Sequence, residues 1–438
     1  MDMMLIRNAT ILTMNPARDI IVGDILIQGD TITEIGKLDL RLNSEIDATG
    51  MVAMPGFIQT HVHLCQTLFR NLADDMQLKE WLRTRIWPLE AAHDEDSISL
   101  SALLGIAELF KCGTTTILDM ATVHLTEFIF SVAQATGIRA IIGKVMMDSG
   151  SRAPKELIET PEEAIRESLM LFAEWHNIEN GRLQAAFAPR FIPSCSDEML
   201  YEIKALSRER NVLIHTHAAE TRHEIQYTQR KAGSGNIEYL CHLGLTGPRL
   251  CLAHCIWVTR DEIDILQRTD TRVLHCPSAN LKLASGIAPV PEMLNKGILV
   301  SLGSDGAPCN NNLDIFQEMR LAALIQKYRL RNASALPAYK LVAMATIDAA
   351  RSLGMENQIG SIETGKKADI ILLDLNRIHN LPADNIYSQL VYSAKSEDVK
   401  TVIVDGKTVM RNRELLTISE DEIVRSCKRE TQRILQKI

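Results

Sequence analysis

Eight short runs rich in β-branched and small apolar residues, each followed by a stretch of helical periodicity, constrain this chain more than any other feature. They are Phe57-His63, Thr114-Asp119, Arg139-Val145, Leu183-Ala188, Val212-His217, Leu250-His254, Arg272-Cys276 and Ile298-Gly303. Runs that alternate with helices about 25 to 50 residues apart form parallel βα units, because parallel neighbours need a crossover long enough to hold a helix. Eight such units in about 300 residues predict an α/β protein built on a (β/α)8 TIM barrel. A doubly wound open sheet is the competing arrangement, but no glycine-rich dinucleotide fingerprint follows the first run.

The chain ends read differently. Leu5-Ile6, Thr10-Met14, Ile21-Gln28, Thr31-Ile35 and Asp47-Ala53 are short strands before Pro55-Gly56, and the Gly23–Gln28 stretch alternates with period two. Similar material returns only at Ala368–Asp374 and Val402–Val409. Chain termini often lie close together, so both ends are expected to build one small β-sandwich domain. The expected division is 1–56 and 358–416 for that domain, 57–357 for the barrel, and 417–438 for a terminal helix that covers Glu420 to Ile438.

Composition narrows the function classes. The 438 residues carry 47 Lys plus Arg against 55 Asp plus Glu, a formal charge of -8, with no basic run to grip a phosphate backbone. Nucleic acid is therefore not an expected partner. The nine cysteines sit in a chain large enough to fold without disulfides, and neither a secretion signal nor a membrane-length apolar run is visible. The expectation is a cytoplasmic protein with reduced thiols and a small-molecule substrate.

In a barrel, chemistry gathers at the C-terminal ends of the strands. The first run ends in His61-Val62-His63, and residues i and i+2 of a strand face the same side, so both imidazoles can reach one ion at about 2.0 to 2.1 Å. The fifth run ends in His215-Thr216-His217; His217 stands nearer the rim, and His215 reads as a hydrogen-bonded core histidine. Asp305 follows the eighth run and completes a set of three histidines and one carboxylate for a divalent metal. His254, at the end of the sixth run, faces the same rim; it can orient a metal-bound water, or be a structural histidine. Cys251, Cys255 and Cys276 lie nearby but read as small apolar residues.

These residues resemble the amidohydrolase superfamily, and specifically its aminohydrolase branch. The likeness is carried by Pro55-Gly56-Phe57-Ile58 before His61-Val62-His63, by His217-Ala218-Ala219-Glu220, by the His254 strand, and by Gly303-Ser304-Asp305-Gly306-Ala307 with Asn310-Asn311-Asn312. Within that branch the chain is most similar to 5-methylthioadenosine/S-adenosylhomocysteine deaminases and 5'-deoxyadenosine deaminases, whose sequences are related to aminotriazine hydrolases. The resemblance implies His61, His63, His217 and Asp305 as metal ligands, Glu220 as proton shuttle, and His254 beside the activated water. It also implies Trp81, which shares helical spacing with Leu78, Leu82 and Arg85, as a base contact, and Glu90 as an acceptor for ribose hydroxyls. No lysine stands where a bridging carbamylated residue is expected near the fourth strand, which favours one metal ion, zinc by default with iron as the alternative.

One residue departs from that pattern. Pro189-Arg190-Phe191 puts an arginine where the adenosine-type enzymes carry a histidine that contacts the purine. A Pro-Arg-Phe run is also similar to guanine deaminases, in which the arginine meets the oxo-purine. The implied activity is hydrolytic deamination of an adenine nucleoside with a modified 5' end. Deamination of guanine, a pterin or an aminotriazine, and triazine dechlorination, stay open beside it. The family resemblance also implies a homo-oligomer, a dimer or tetramer.

Overall fold

The computed structural model describes residues 3–150, 152–382 and 384–438. Its centre is an eight-stranded sheet in which each strand pairs in parallel with the next in sequence. The strands are β1 (Phe57–Val62), β2 (Thr114–Met120), β3 (Arg139–Met146), β4 (Leu183–Pro189), β5 (Ile214–Ala218), β6 (Leu250–His254), β7 (Arg272–His275) and β8 (Val300–Leu302). All eight expected runs are strands, with the fifth and eighth each starting two residues later than the sequence pattern indicates.

The strands are buried on both faces, as in a sheet covered by helices outside and filled by side chains inside. Ile58, Leu118, Ile141, Ala186, Cys251, Ala253 and Leu274 pack together in the interior, closed from below by Ala349, Ala350, Leu353 and Met355. The sheet closes where β8 meets β1: the Asp305 amide donates to the His61 carbonyl at 3.0 Å, and Val62 bridges Asp305. A Cβ at Gly303 would lie 2.6 Å from the His61 carbonyl oxygen, so this closure requires glycine there.

The chain ends form one nine-stranded, mostly antiparallel sheet. Its N-terminal strands are Met3–Leu12, Ile20–Gln28, Thr31–Gly36, Glu45–Asp47 and Val52–Pro55; its C-terminal strands are Ile370–Leu373, Val399–Val404, Lys407–Arg411 and Glu414–Leu415. The two sets join where Val52–Pro55 pairs with Ile370–Leu373. A separate core of Ile6, Ile11, Ile25, Ile27, Ala53, Ile370, Leu372 and Ile403 fills this unit, which fits the expected β-sandwich domain.

Two local differences from the sequence reading have a physical cause. The first strand continues through Arg7-Asn8 because Asn8 adopts φ 58°, shifting the register between Ile6 and Ala9, while its amide donates to Asp24 Oδ1 at 2.8 Å. The Asp47–Ala53 stretch is not one strand but two short ones, both pairing in parallel with Met3–Leu12.

The terminal helix, Glu420–Leu435, starts at Ser419, whose hydroxyl accepts from the Glu422 amide. It docks on the barrel through Ile434, which packs with Phe69 and Leu89, and through Arg433 and Lys437, both paired with Asp94. All nine cysteines are free. Among the described residues no helix is long and apolar enough to cross a membrane.

Candidate active site

The strand ends bring the expected metal ligands together. His61 and His63 project from β1 toward the axis, His217 from β5, and Asp305 from the turn after β8. Asp305 Oδ1 lies 3.4 Å from His61 Nε2 and 3.3 Å from His63 Nε2, and the Nε2 atoms of His63 and His217 are 3.3 Å apart. Ligand atoms within 4.8 Å of one another form two overlapping triads, His61/His63/His217 and His61/His254/Asp305. Neither triad alone holds all four expected ligands, but the short contacts of Asp305 to both β1 histidines join them into one cluster.

The hydrogen bonds fix which nitrogens are free. His63 Nδ1 donates to the Met120 carbonyl at 2.8 Å, and His217 Nδ1 to the Arg190 carbonyl at 2.6 Å. A neutral imidazole with its proton on Nδ1 has only a lone pair on Nε2. The two Nε2 lone pairs therefore face each other across 3.3 Å with no hydrogen between them. His61 Nδ1 bonds His215 Nε2 at 2.7 Å, and His61 Nε2 is buried without a partner. Orphaned buried acceptors are rare in folded proteins, and several converging on one point fit a divalent cation.

The electrostatics agree with that fit. Burial holds the His61 pKa down at about 4 and pushes those of His215 and His217 well below the ordinary value, which keeps the imidazoles neutral. Burial would raise the pKa of Asp305, but His61 and His63, in the state in which they carry a proton toward it, outweigh that and hold it well below the usual carboxylate range. Neutral imidazole and ionised carboxylate are the protonation states that a metal requires of its ligands.

The second group of side chains surrounds this cluster. Glu220 is buried, accepts from Ser285 Oγ at 3.2 Å, and has its pKa raised by burial. His254 Nε2 stands between the two acids, 3.8 Å from Glu220 Oε2 and 3.9 Å from Asp305 Oδ2, while its Nδ1 donates to Asn280 Oδ1 at 2.8 Å. Burial works against a charge on His254, but the Glu220 and Asp305 carboxylates prevail and raise its pKa. The chain turns sharply at these positions: Ala219, His254, Cys255 and Asp305 all have positive φ, between 47° and 75°. These four non-glycine residues hold a conformation that costs backbone energy, at the ends of β5, β6 and β8 where the cluster's side chains are positioned.

The first βα connection runs over this cluster as a short helix Leu78–Trp81, a wide turn Leu82–Ile86 and a second helix Trp87–Ala91. Trp81 is buried against Cys276, Ala279, Leu283 and Cys309, at the ends of β7 and β8, whereas Arg85 faces solvent. Glu90 is buried rather than being a solvated surface charge. It accepts from Arg190 Nη1 at 2.6 Å, Arg190 Nη2 at 3.1 Å and Gln66 Nε2 at 2.8 Å. Trp81, Glu90 and Arg190 thus line the same end of the barrel as the histidines.

Residues 52–409 match the pattern of the Amidohydrolase family. The chain belongs to the amidohydrolase family. It is 40% identical to the 5'-deoxyadenosine deaminase of Methanobrevibacter smithii over 97% of this chain and 96% of that protein. It is 36% identical to a 5-methylthioadenosine/S-adenosylhomocysteine deaminase of Thermoanaerobacter pseudethanolicus, covering 99% of this chain and all of that one. Its fold superposes on a zinc-bound adenosine deaminase of Xanthomonas campestris with a TM-score of 0.93 at 28% identity, covering 99% of this chain and 98% of the other.

Several contacts in this amidohydrolase lie outside the sequence-derived set. His215 holds His61, Asn280 holds His254, and Gln66 shares Glu90 with Arg190. The carbonyls of Met120 and Arg190 fix the tautomers of His63 and His217. Gln66 stands three residues after His63 and Asn280 five after His275, so their placement was visible; their partners, set by tertiary contact, were not.

Proposed function

We propose that this amidohydrolase is a metal-dependent hydrolytic deaminase of an adenine nucleoside with a modified 5' end, such as 5'-deoxyadenosine, methylthioadenosine or S-adenosylhomocysteine, and that it releases ammonia. The observation that carries the proposal is the acid–base trio Glu220, His254 and Asp305 set edge to edge beside the converged ligand set. The deaminase names of relatives at 36–40% identity over nearly the whole chain support it.

The residues fit one divalent cation held by His61, His63, His217 and Asp305, zinc in the first instance with iron as the alternative. Bound there, the ion supplies Lewis acidity that lowers the pKa of water from about 15.7 toward about 7. Asp305 Oδ2 takes the proton of the attacking water, and His254 Nε2, held by Asn280, stabilises that charge. Glu220 Oε2, whose burial favours the protonated form, donates to a ring nitrogen, reducing the aromatic cost of attack at the amine-bearing carbon. Return of a proton to the exocyclic nitrogen releases it as ammonia, and the ring keeps an oxo group.

Trp81 covers the base. Glu90 accepts three hydrogen bonds, which leaves one of its roughly four lone-pair directions for a ribose hydroxyl. A second reading has its own observation: Arg190, buried at this end, presents a guanidinium suited to the oxygen of an oxo-purine such as guanine.

Ammonia release measured side by side from 5'-deoxyadenosine, methylthioadenosine, S-adenosylhomocysteine, adenosine, guanine and an aminotriazine, with chloride release from a chlorotriazine, tests both readings. An adenine nucleoside as the fastest substrate is the expected result. Guanine as the fastest overturns the first reading in favour of the second. The proposal extends to a cytoplasmic dimer or tetramer, which sedimentation of the purified protein and fractionation of its cells would test.

A further inference from the structure

We propose that Glu224 and Asn236 form a positioning pair, which aims the Glu220 carboxyl by holding the backbone of Ala219 and Glu220. The inference deepens the deaminase reading above and rests on its assignment of Glu220 as the proton donor.

Glu220 leaves β5 through a turn that the chain does not favour by itself. Ala219 has φ 52°, a left-handed conformation that an alanine keeps only where its surroundings hold it. Three connections hold it. The Ala219 carbonyl accepts from the amides of Ile256 and Trp257, at 3.0 and 2.9 Å, in the connection after β6. The Ala219 amide donates to Asn236 Oδ1 at 3.1 Å, and the Glu220 amide donates to Glu224 Oε2 at 2.9 Å. Asn236 Nδ2 then donates to Glu224 Oε1 at 2.9 Å, linking the two supports. Glu224 lies on the helix Arg222–Ala232 and Asn236 opens the helix Asn236–His242, and both side chains are buried.

Donor chemistry fixes the direction of every bond in this clasp. A backbone amide can only donate, so Asn236 turns its oxygen to Ala219 and its NH2 to Glu224, and Glu224 offers an acceptor at both oxygens. Among the described residues Glu224 makes no ion pair, and a buried carboxylate without a cation is costly to a fold. Its two bonds go to the Glu220 amide and to the side chain that holds Ala219. The Glu220 carboxyl itself has a single hydrogen bond, from Ser285 Oγ at 3.2 Å, so its aim depends on the backbone beneath it. That aim matters, because a displacement of about 1 Å in a reacting group can cost about 10²-fold in rate.

The test measures kcat, KM and metal content of the metal-loaded protein on the fastest substrate of the panel above. It compares Glu224→Gln, Asn236→Asp and the two together, each with Glu220 intact and in Glu220→Gln. Glu224→Gln leaves one acceptor for two donors, and Asn236→Asp sets two carboxylates against each other. Each is expected to lower kcat by about 10- to 100-fold, more than it changes KM, with metal content that of the wild type. The double variant reverses only the middle bond: the new amide at position 224 donates to the new carboxylate at 236, and both backbone amides keep an acceptor. It should recover most of the lost kcat. In Glu220→Gln the same changes should cost little more, since groups that act as a unit are not additive.

Unchanged kcat in both single variants, no recovery in the double variant, loss of metal, or an undiminished loss in Glu220→Gln overturns the pair's role. Full turnover in Glu220→Gln is instead a failure of the deaminase reading. Hydrogen exchange of the 218–221 backbone then decides the clasp without turnover: exchange that is about tenfold faster or more in the single variants and restored in the double variant supports it, and equal exchange in all overturns it.

Discussion

The joint at the N-terminal end of the barrel and the histidine cluster at its C-terminal end bury their polar groups in different ways. At the N-terminal end, Arg139 opens β3 fully buried and meets both carboxylate oxygens of Asp369, at 2.7 and 3.0 Å, and Asp405 at 2.7 Å. Asp369 also accepts from the Asp405 amide at 2.7 Å. Apart from Arg139 Nη1, this joint between barrel and terminal sheet is saturated. At the C-terminal end, His61 Nε2, Gln66 Oε1, Trp81 Nε1 and Asn280 Nδ2 are buried without partners. Unpartnered buried atoms also occur elsewhere, among them Arg249 Nε and Arg272 Nε at the starts of β6 and β7, but those at the C-terminal end adjoin the histidine cluster. Buried polar groups left unpaired cost stability, so this set marks where the molecule exchanges stability for binding. The bottom holds the fold and the top holds the reaction.

Removing groups at the top should break chemistry and spare the fold. We expect elemental analysis of the purified protein to find close to one zinc or iron per chain, lost in His61→Ala and Asp305→Ala. Turnover in these variants should fall by more than the roughly 10²- to 10⁴-fold that one acid–base group contributes. A folded, active, metal-free variant would erase the distinction between the two ends. Glu220→Gln should lower kcat by about 10²- to 10⁴-fold while metal content stays that of the wild type. Full turnover in that variant would remove Glu220 from the reaction.

Removing a group at the bottom should do the reverse. Asp369→Ala leaves Arg139 buried and half-paired, and is expected to cost about 3–5 kcal/mol in urea unfolding while the folded fraction keeps its kcat. A kcat loss without a stability loss would contradict the division. A smaller effect falls between the two ends. His215 holds the ring of His61 from below, so His215→Phe should weaken metal binding by about 10- to 100-fold, read by competition with a chelator. Unchanged affinity would make His215 a packing residue only.

The sequence exposes the top of the barrel better than the bottom. His61, His63, His217, His254 and Asp305 are legible because strand periodicity puts them at the same edge of successive βα units. Glu220, Trp81, Glu90 and Arg190 rested on resemblance, and the structure adds that Arg190 and Glu90 are one buried pair rather than two independent contacts. The Arg139–Asp369–Asp405 joint had no local signal, since its members are 230 and 266 residues apart and meet only when both chain ends close on the barrel. Asn8 shows the same limit on a small scale: a polar pair inside an apolar pattern reads as a break, yet a bulge carries the strand through.

The smallest expected effect concerns a support behind the top. Glu318, on the helix Ile315–Leu330, is fully buried and accepts from the Ser278 amide at 3.1 Å and Asn310 Nδ2 at 2.8 Å, holding together the connections after β7 and β8. Burial raises its pKa to about 7. The folded protein therefore keeps a proton that the unfolded chain releases near the ordinary pKa of about 4.3, so this group makes stability fall as pH rises from there to about 7. The loss is complete above that value and is at most on the order of 4 kcal/mol, because each tenfold difference in proton affinity between the two states is worth about 1.4 kcal/mol. Glu318→Gln carries no charge to bury, so its unfolding free energy should vary less with pH across that window than the wild type's. Parallel profiles for the two proteins would show that the carboxylate is already stabilised by its two donors, and that this part of the top is as well satisfied as the bottom.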